Sequence, residues 1–270
     1  MTTDYSGGGD PARSLRLLWR DQKRPTRGPR PGLSVERVVA AAIELADAEG
    51  LAALSMRRVA DRLGVGTMSL YTYVPGKAEL LDLMLDTVLA EVARPDGAGG
   101  WRAGLELRAR EDWAMYHRHP WILQISPVRS LLGPNETDLL EATLAAVAGT
   151  GLSGTEMVLV VSLVAEYTRG AASTAVGAAQ AEQRTGISDE QWWAAREPLF
   201  EKYYDPARYP TLTRVAEAGA FEPQPGGADY NVQRALDSFE FGLVRVLDGI
   251  EALLADRPTT AQGRPSADDQ

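Results

Sequence analysis

"RRVADRLGVGTMSLYTYVPGKAEL" occupies residues 57–80. It holds a short amphipathic run, a glycine, a second short run and a Pro-Gly pair that opens another helix. Met56, Val59, Ala60 and Leu63 follow the i, i+3, i+4, i+7 spacing of a helix whose apolar side faces inward, with Ser55 placed to cap it. Two helices that cross near a tight turn need a small residue at the close approach, and Ala60 supplies it. Four residues on, the chain must leave the helix, which Gly64 does most easily with positive φ. Val65 fills the corner and Leu70 anchors the next helix. These spacings predict a helix-turn-helix.

The second helix is predicted over Thr67–Val74. With Leu70 and Val74 turned inward, Met68 and Thr72 point outward, Ser69 and Tyr71 flank them, and Tyr73 leans back toward the core. Eight helical residues span about 12 Å, enough to lie in a DNA major groove about 12 Å wide. Thr and Met can meet thymine methyls, and hydroxyls can reach base edges or phosphate. Arg57, Arg58 and Lys77 stand in the first turns of their helices, where the helix dipole disfavours cations by about 0.3–1 kcal/mol. A phosphate or a guanine edge gives these placements a common reason.

Charge distribution agrees. The net charge is −9, yet residues 11–77 carry 12 Lys and Arg against 6 Asp and Glu, a basic front on an acidic body. The chain has no cysteine, so disulfides and thiolate metal sites are excluded. The longest apolar run, "MVLVVSLVA" at 157–165, falls well short of the roughly 20 residues of a membrane helix. No signal peptide is visible, and a soluble cytoplasmic protein is expected. Walker A, H-E-x-x-H and G-x-S-x-G motifs do not occur, so no enzyme, cofactor or metal site is read.

Helical period extends through the rest of the chain. Ser34 caps a helix that Gly50 ends. Another starts near Pro75, and further segments are expected at 101–119, 135–148, 155–184, 189–204 (interrupted by Pro198), 211–218 and 230–255. The fold class is all-α: an N-terminal three-helix helix-turn-helix DNA-binding domain at 33–93, then a larger helical ligand-binding and dimerisation domain at 100–256. A flexible basic arm is expected at 1–32 and a disordered tail at 257–270.

"LSMRRVADRLGVGTMSLYTYVPGKAELLDLML" (54–85) resembles the DNA-binding domain of the tetracycline-repressor (TetR) family, most specifically from Tyr71 through Leu80. "WWAAREPLFEKYY" (192–204) and "FEFGLVRVLDGIEALL" (239–254) resemble its regulatory domain more weakly. The resemblance implies that Arg57 contacts a base and that Thr67, Met68, Ser69 and Thr72 face the groove. It implies that Tyr71 and Lys77 touch the DNA backbone, with Tyr73 near phosphate. In the arm, "RGPRP" is similar to minor-groove AT-hook cores, which brings Arg27 and Arg30 into the candidate set.

Symmetric operators ask for a dimer. Gly170, Thr174, Gly177 and Ala178 form a small-residue stripe, and Leu236, Phe239, Leu243, Val246 and Ile250 form an apolar one. Together they predict an intersubunit four-helix bundle. Trp113, Tyr116, His117, Trp121, Tyr167, Trp192 and Trp193 are candidate walls of an effector pocket. His117-Arg118-His119 reads as compensation of a helix C-terminus ahead of Pro120. The expected protein is a homodimeric, ligand-responsive repressor that binds a palindromic double-stranded DNA operator and is released by a small-molecule effector, with no membrane partner. Two other readings stay open at this point: an all-α small-molecule-binding protein, or an enzyme using the aromatic cavity, with the hairpin only structural in either.

Overall fold

The computed structural model describes residues 4–5, 8–20, 32–126, 129–222 and 230–256. They divide into two units, residues 1–169 with 243–270, and residues 170–242.

In the first unit, Ser34 accepts a hydrogen bond from the backbone N–H of Arg37 and starts α2 (Val35–Glu49), which buries Val38, Val39, Ala42 and Ala46. A 3-10 turn (Leu51–Ala53) leads to α3 (Met56–Leu63), capped by Ser55 through the N–H of Arg58. Then come α4 (Thr67–Tyr71) and α5 (Lys77–Leu89), with α3 packed on both α2 and α4 and α2 packed on α5. Next are α6 (Gly100–Arg118), a 3-10 turn (Pro120–Gln124) and α7 (Pro134–Val147), which packs against α5 and α6. The first part of α8 (Gly154–Ala179) and the last part of α12 (Tyr230–Ala255) complete this unit.

The expectation of a flexible arm over residues 1–32 is corrected for its first part. Residues Pro11–Leu18 form helix α1, started by Asp10, whose carboxylate accepts from the N–H groups of Ala12 and Arg13. Proline at the first helical position and an aspartate before it are start signals in their own right. Leu17 and Leu18 are buried and α1 packs on α5. Ahead of it, β1 (Asp4–Tyr5) pairs in parallel with β2 (Ile125–Ser126), a small exception to the all-α expectation.

Acids bury themselves on α5. Glu79, Asp82 and Asp86 are each less than a tenth exposed. Asp86 Oδ1 accepts from the N–H groups of Asn135 and Glu136, both at 3.1 Å, and Oδ2 from the Asn135 side chain at 2.9 Å. An acid on α5 thus caps the N-terminus of α7, where negative charge is favoured. A Cβ on Gly133 would sit 2.2 Å from Asp86 Oδ1, so only glycine admits this approach. Burial raises the Asp86 pKa, opposed by these hydrogen bonds.

In the second unit, α8 ends at Ala179, short of the predicted 184. A separate turn of helix, α9 (Ala181–Thr185), follows and closes at Gly186 with φ +70°. Ser188 and Gln191 form a reciprocal capping box at the start of α10 (Asp189–Phe200), which carries Pro198 inside it. Helix α11 (Pro210–Glu217) is tied back by the Tyr204 hydroxyl, 2.7 Å from Thr213 Oγ1.

Candidate nucleic-acid interface

The corner of the helix-turn-helix forms as the spacing required. Ala60 is fully buried, and Gly64 takes the left-handed conformation, φ 69° and ψ 30°. The N–H of Val65 reaches the carbonyl of Ala60 at 3.1 Å, closing the end of α3. Gly64→Ala leaves open space around the new methyl but forces a positive φ on an L-residue. The expected cost is about 1–2 kcal/mol, read as a lower Tm; an unchanged melt would remove Gly64 from the corner.

Helix α4 is shorter than predicted. It ends at Tyr71, although Val74 N–H still bonds the Leu70 carbonyl at 2.8 Å, which carries the turn on. Leu70 and Val74 are fully buried, while Met68 is 78% exposed and Ser69, Tyr71 and Thr72 are exposed beside it. Thr67 and Tyr73 are half-buried at the two ends. An exposed methionine beside hydroxyl groups, on a helix held by two buried anchors, is a surface shaped for contact rather than for the core. Glycines stand at the N-caps of both α4 and α5 and make no side-chain cap bond, and Glu79 lies in the first turn of α5.

The cations separate into two kinds. Arg57 has an 85% exposed side chain, with Asp61 4.0 Å away, and Lys77 stands half-buried at the start of α5. Arg58, read as part of the same ring, instead turns back. Its Nη2 lies 2.7 and 2.6 Å from the Glu49 oxygens and Nη1 is 3.4 Å from the Ala53 carbonyl. Arg62 similarly meets Glu44 at 3.0 Å. These two arginines tie α3 to α2. Arg27 and Arg30 lie outside the described residues, as does the tail at 257–270.

A polar network joins this domain to the segment after α6. Trp121 is 1% exposed and its Nε1 donates to Asp47 Oδ1, in α2, at 2.7 Å. His119 is buried beside it, with Nδ1 2.8 Å from the same Asp47 oxygen and Nε2 3.2 Å from Glu91 Oε2. Both ring nitrogens face carboxylates. Arg118 reaches Glu91 at 2.6 Å. Trp121 was expected in a pocket wall; it fastens α2 instead.

The other pocket candidates are divided between the two units. Tyr116 is buried and Trp113 and Tyr167 are half-buried in the first unit; His117 is exposed, bonding the Trp113 carbonyl at 2.8 Å. Trp192 and Trp193 belong to the second unit and are exposed, with ring centroids 4.9 Å apart. Sequence reading missed a buried polar group on α6. Arg108 Nε donates to Asp112 Oδ2 at 2.8 Å and its Nη1 to Thr143 Oγ1 at 3.2 Å, while Asp112 Oδ1 is enclosed with no hydrogen-bond partner among the described residues. Burial raises the pKa of Asp112 despite Arg108, and also that of Tyr116 one turn on.

The residues of the two expected interface stripes differ in exposure. Gly170, Thr174 and Gly177 are exposed, Ala178 and Val246 half-buried, and Leu236 is exposed. Phe239, Leu243 and Ile250 are already buried within the chain, because the 239–243–247–250 face of α12 points inward. In the first unit an apolar groove of about 510 Å³ lies between α8 and α12, floored by Leu159, Val160, Leu163, Val246, Ile250 and Leu253.

With this geometry in hand, known proteins supply the comparison. Residues 38–84 match the family described as bacterial regulatory proteins, tetR family, and residues 95–254 match the tetracyclin repressor-like C-terminal domain. The chain is 48% identical over 258 residues to the HTH-type transcriptional repressor DrrR1 of Streptomyces coeruleorubidus, covering 95% of this chain and 91% of that protein. Among solved structures, the Streptomyces coelicolor TetR-family protein ActR in complex with actinorhodin superposes with a TM-score of 0.64 at 28% identity, over 84% of this chain and 99% of ActR. ActR in complex with (S)-DNPA gives 0.61 at 29% identity, over 82% and 98%.

Proposed function

The chain belongs to the tetracycline-repressor family of bacterial transcriptional regulators, and from that premise we propose a homodimeric repressor that holds a palindromic operator and releases it when a small organic effector binds the helical C-terminal region. The observation that carries the DNA reading is α4: an exposed Met68–Thr72 face on two fully buried anchors, with Arg57 and Lys77 at its margins. Thr67, Met68, Ser69 and Thr72 read base edges, Arg57 reaches a base, and Tyr71, Tyr73 and Lys77 hold the backbone.

A second copy covers the groove between α8 and α12. Leu159 is 62% exposed and Leu163 48%, apolar side chains that a second copy would bury. A two-fold dimer then presents two α4 helices to half-sites about 34–36 Å apart.

The effector meets α6 near Tyr116 and Asp112, where a donor on the ligand completes the unpartnered Asp112 oxygen. Compounds of the kind seen with ActR are the first to try. Release follows if the effector favours a dimer geometry that no longer fits the half-sites, and a coupling of about 1–3 kcal/mol alters operator affinity about 5- to 150-fold.

The test is selection of genomic fragments by the purified protein. A palindrome should emerge upstream of a transcription unit, bound in a salt-dependent way. Retention of DNA without any shared sequence would refute the specific-repressor reading.

A further inference from the structure

The N-terminal segment is anchored at three places in the first unit. Its strand β1 pairs with β2, directly after the 3-10 turn that carries Trp121. The backbone N–H of Asp10 donates to Glu79 Oε1 on α5 at 3.3 Å, and Leu17 and Leu18 bury themselves as α1 packs on the same helix. At the far end, the Trp19 indole Nε1 donates to the carbonyl of Leu132 at 2.9 Å, just ahead of α7.

The fit at α5 is close. A Cβ on Gly9 would lie 2.3 Å from Glu79 Oε1 and 2.7 Å from its Cδ, and Glu79 is only 7% exposed. A side chain at position 9 therefore displaces either the segment or the acid that receives it. Gly9 is selected here by approach distance and not by backbone conformation.

Helix α5 follows the recognition helix after only residues 72–76, so any tilt of α5 moves α4. In a dimer, the separation of the two α4 helices decides which half-site spacing is accepted. We propose that residues 4–5 and 8–20 are a positioning element that fixes α5 against the β2 and α7 side of the unit and thereby sets the operator spacing the repressor accepts. Trp19 and Gly9 act through α5 and touch no DNA. The proposal rests on the operator-binding reading above.

The experiment compares the full-length native chain with Trp19→Phe, Gly9→Ala and the control Arg16→Ala, whose exposed side chain makes none of these anchors. Affinity is measured for the selected operator and for versions with one base pair added to or removed from its centre, with Tm recorded for each protein. Trp19→Phe keeps a six-membered aromatic ring but loses the indole N–H donor with its five-membered ring; Gly9→Ala keeps Trp19 and disturbs Glu79. In both, the native preference for one spacing should shrink about fivefold or more, while Arg16→Ala keeps it. Unchanged ratios in both folded variants, or a uniform weakening across all three operators, overturn the proposal. A native chain that selects no palindrome overturns the reading beneath it, and the two failures are thus told apart.

Discussion

Arg57→Ala and Lys77→Ala should weaken operator binding in different ways. Arg57 projects from the first turn of α3 with an 85% exposed side chain and only a distant contact, at 4.0 Å, to Asp61. If it meets a guanine edge, its loss costs about 1–3 kcal/mol and relaxes the choice of base at one position of each half-site. Lys77 is the first residue of α5, half-buried beside α4, where its ammonium can meet a phosphate of the DNA backbone. Its loss should weaken all sequences alike and lower the salt slope by about one per site. Arg58→Ala is the control: its guanidinium is held by Glu49 and Ala53, so operator specificity and salt slope should stay native while the α2–α3 link loosens. Binding isotherms at several salt concentrations, on the operator and on single-base variants, separate the three. If Arg57→Ala leaves the base preferences intact, the groove assignment of α3's first turn is wrong.

Much of this interface is legible in the sequence because its constraints are local. Ala60, Gly64 and Leu70 are fixed by the geometry of one corner, within eleven residues, and the structure places all three as that geometry demands. Helix α12 shows where local reading stops. Its apolar residues are many, and the heptad count cannot say which stripe meets the chain's own core; Phe239, Leu243 and Ile250 do. Partners distant in sequence were also invisible. Glu79 and Asp86 look like solvent-facing acids on an apolar helix until Asp10 and Asn135 are brought to them. Arg58 reads as a DNA-facing cation until Glu49 is seen to occupy it. Helix α1 had a proper start signal in Asp10 and Pro11, but the glycine run before it and the basic residues after it suggested a free arm.

Trp121→Ala should give the largest loss of stability among single changes in the first unit. The side chain is 1% exposed, and truncating a buried aromatic to alanine costs about 3–5 kcal/mol. The indole also satisfies Asp47, which His119 shares. Its removal leaves Asp47 with one donor and opens a void between the end of α2 and the turn after α6. Trp121→Phe separates the two contributions. It keeps most of the buried ring and deletes the 2.7 Å hydrogen bond, for an expected cost of about 1–3 kcal/mol. The regulatory consequence follows from position. Asp47 and Glu91 flank the DNA-binding helices, while His119 and Trp121 belong to the turn that follows α6, the helix bearing Tyr116 and Asp112. An effector that shifts the end of α6 moves this clamp and, through Asp47, the helix-turn-helix. Trp121→Phe should therefore retain operator binding yet respond more weakly to an effector that releases the native protein, with the change read as the ratio of operator affinities with and without effector. Should that ratio stay native in a variant whose melting temperature has fallen as expected, the clamp is structural and the signal takes another route.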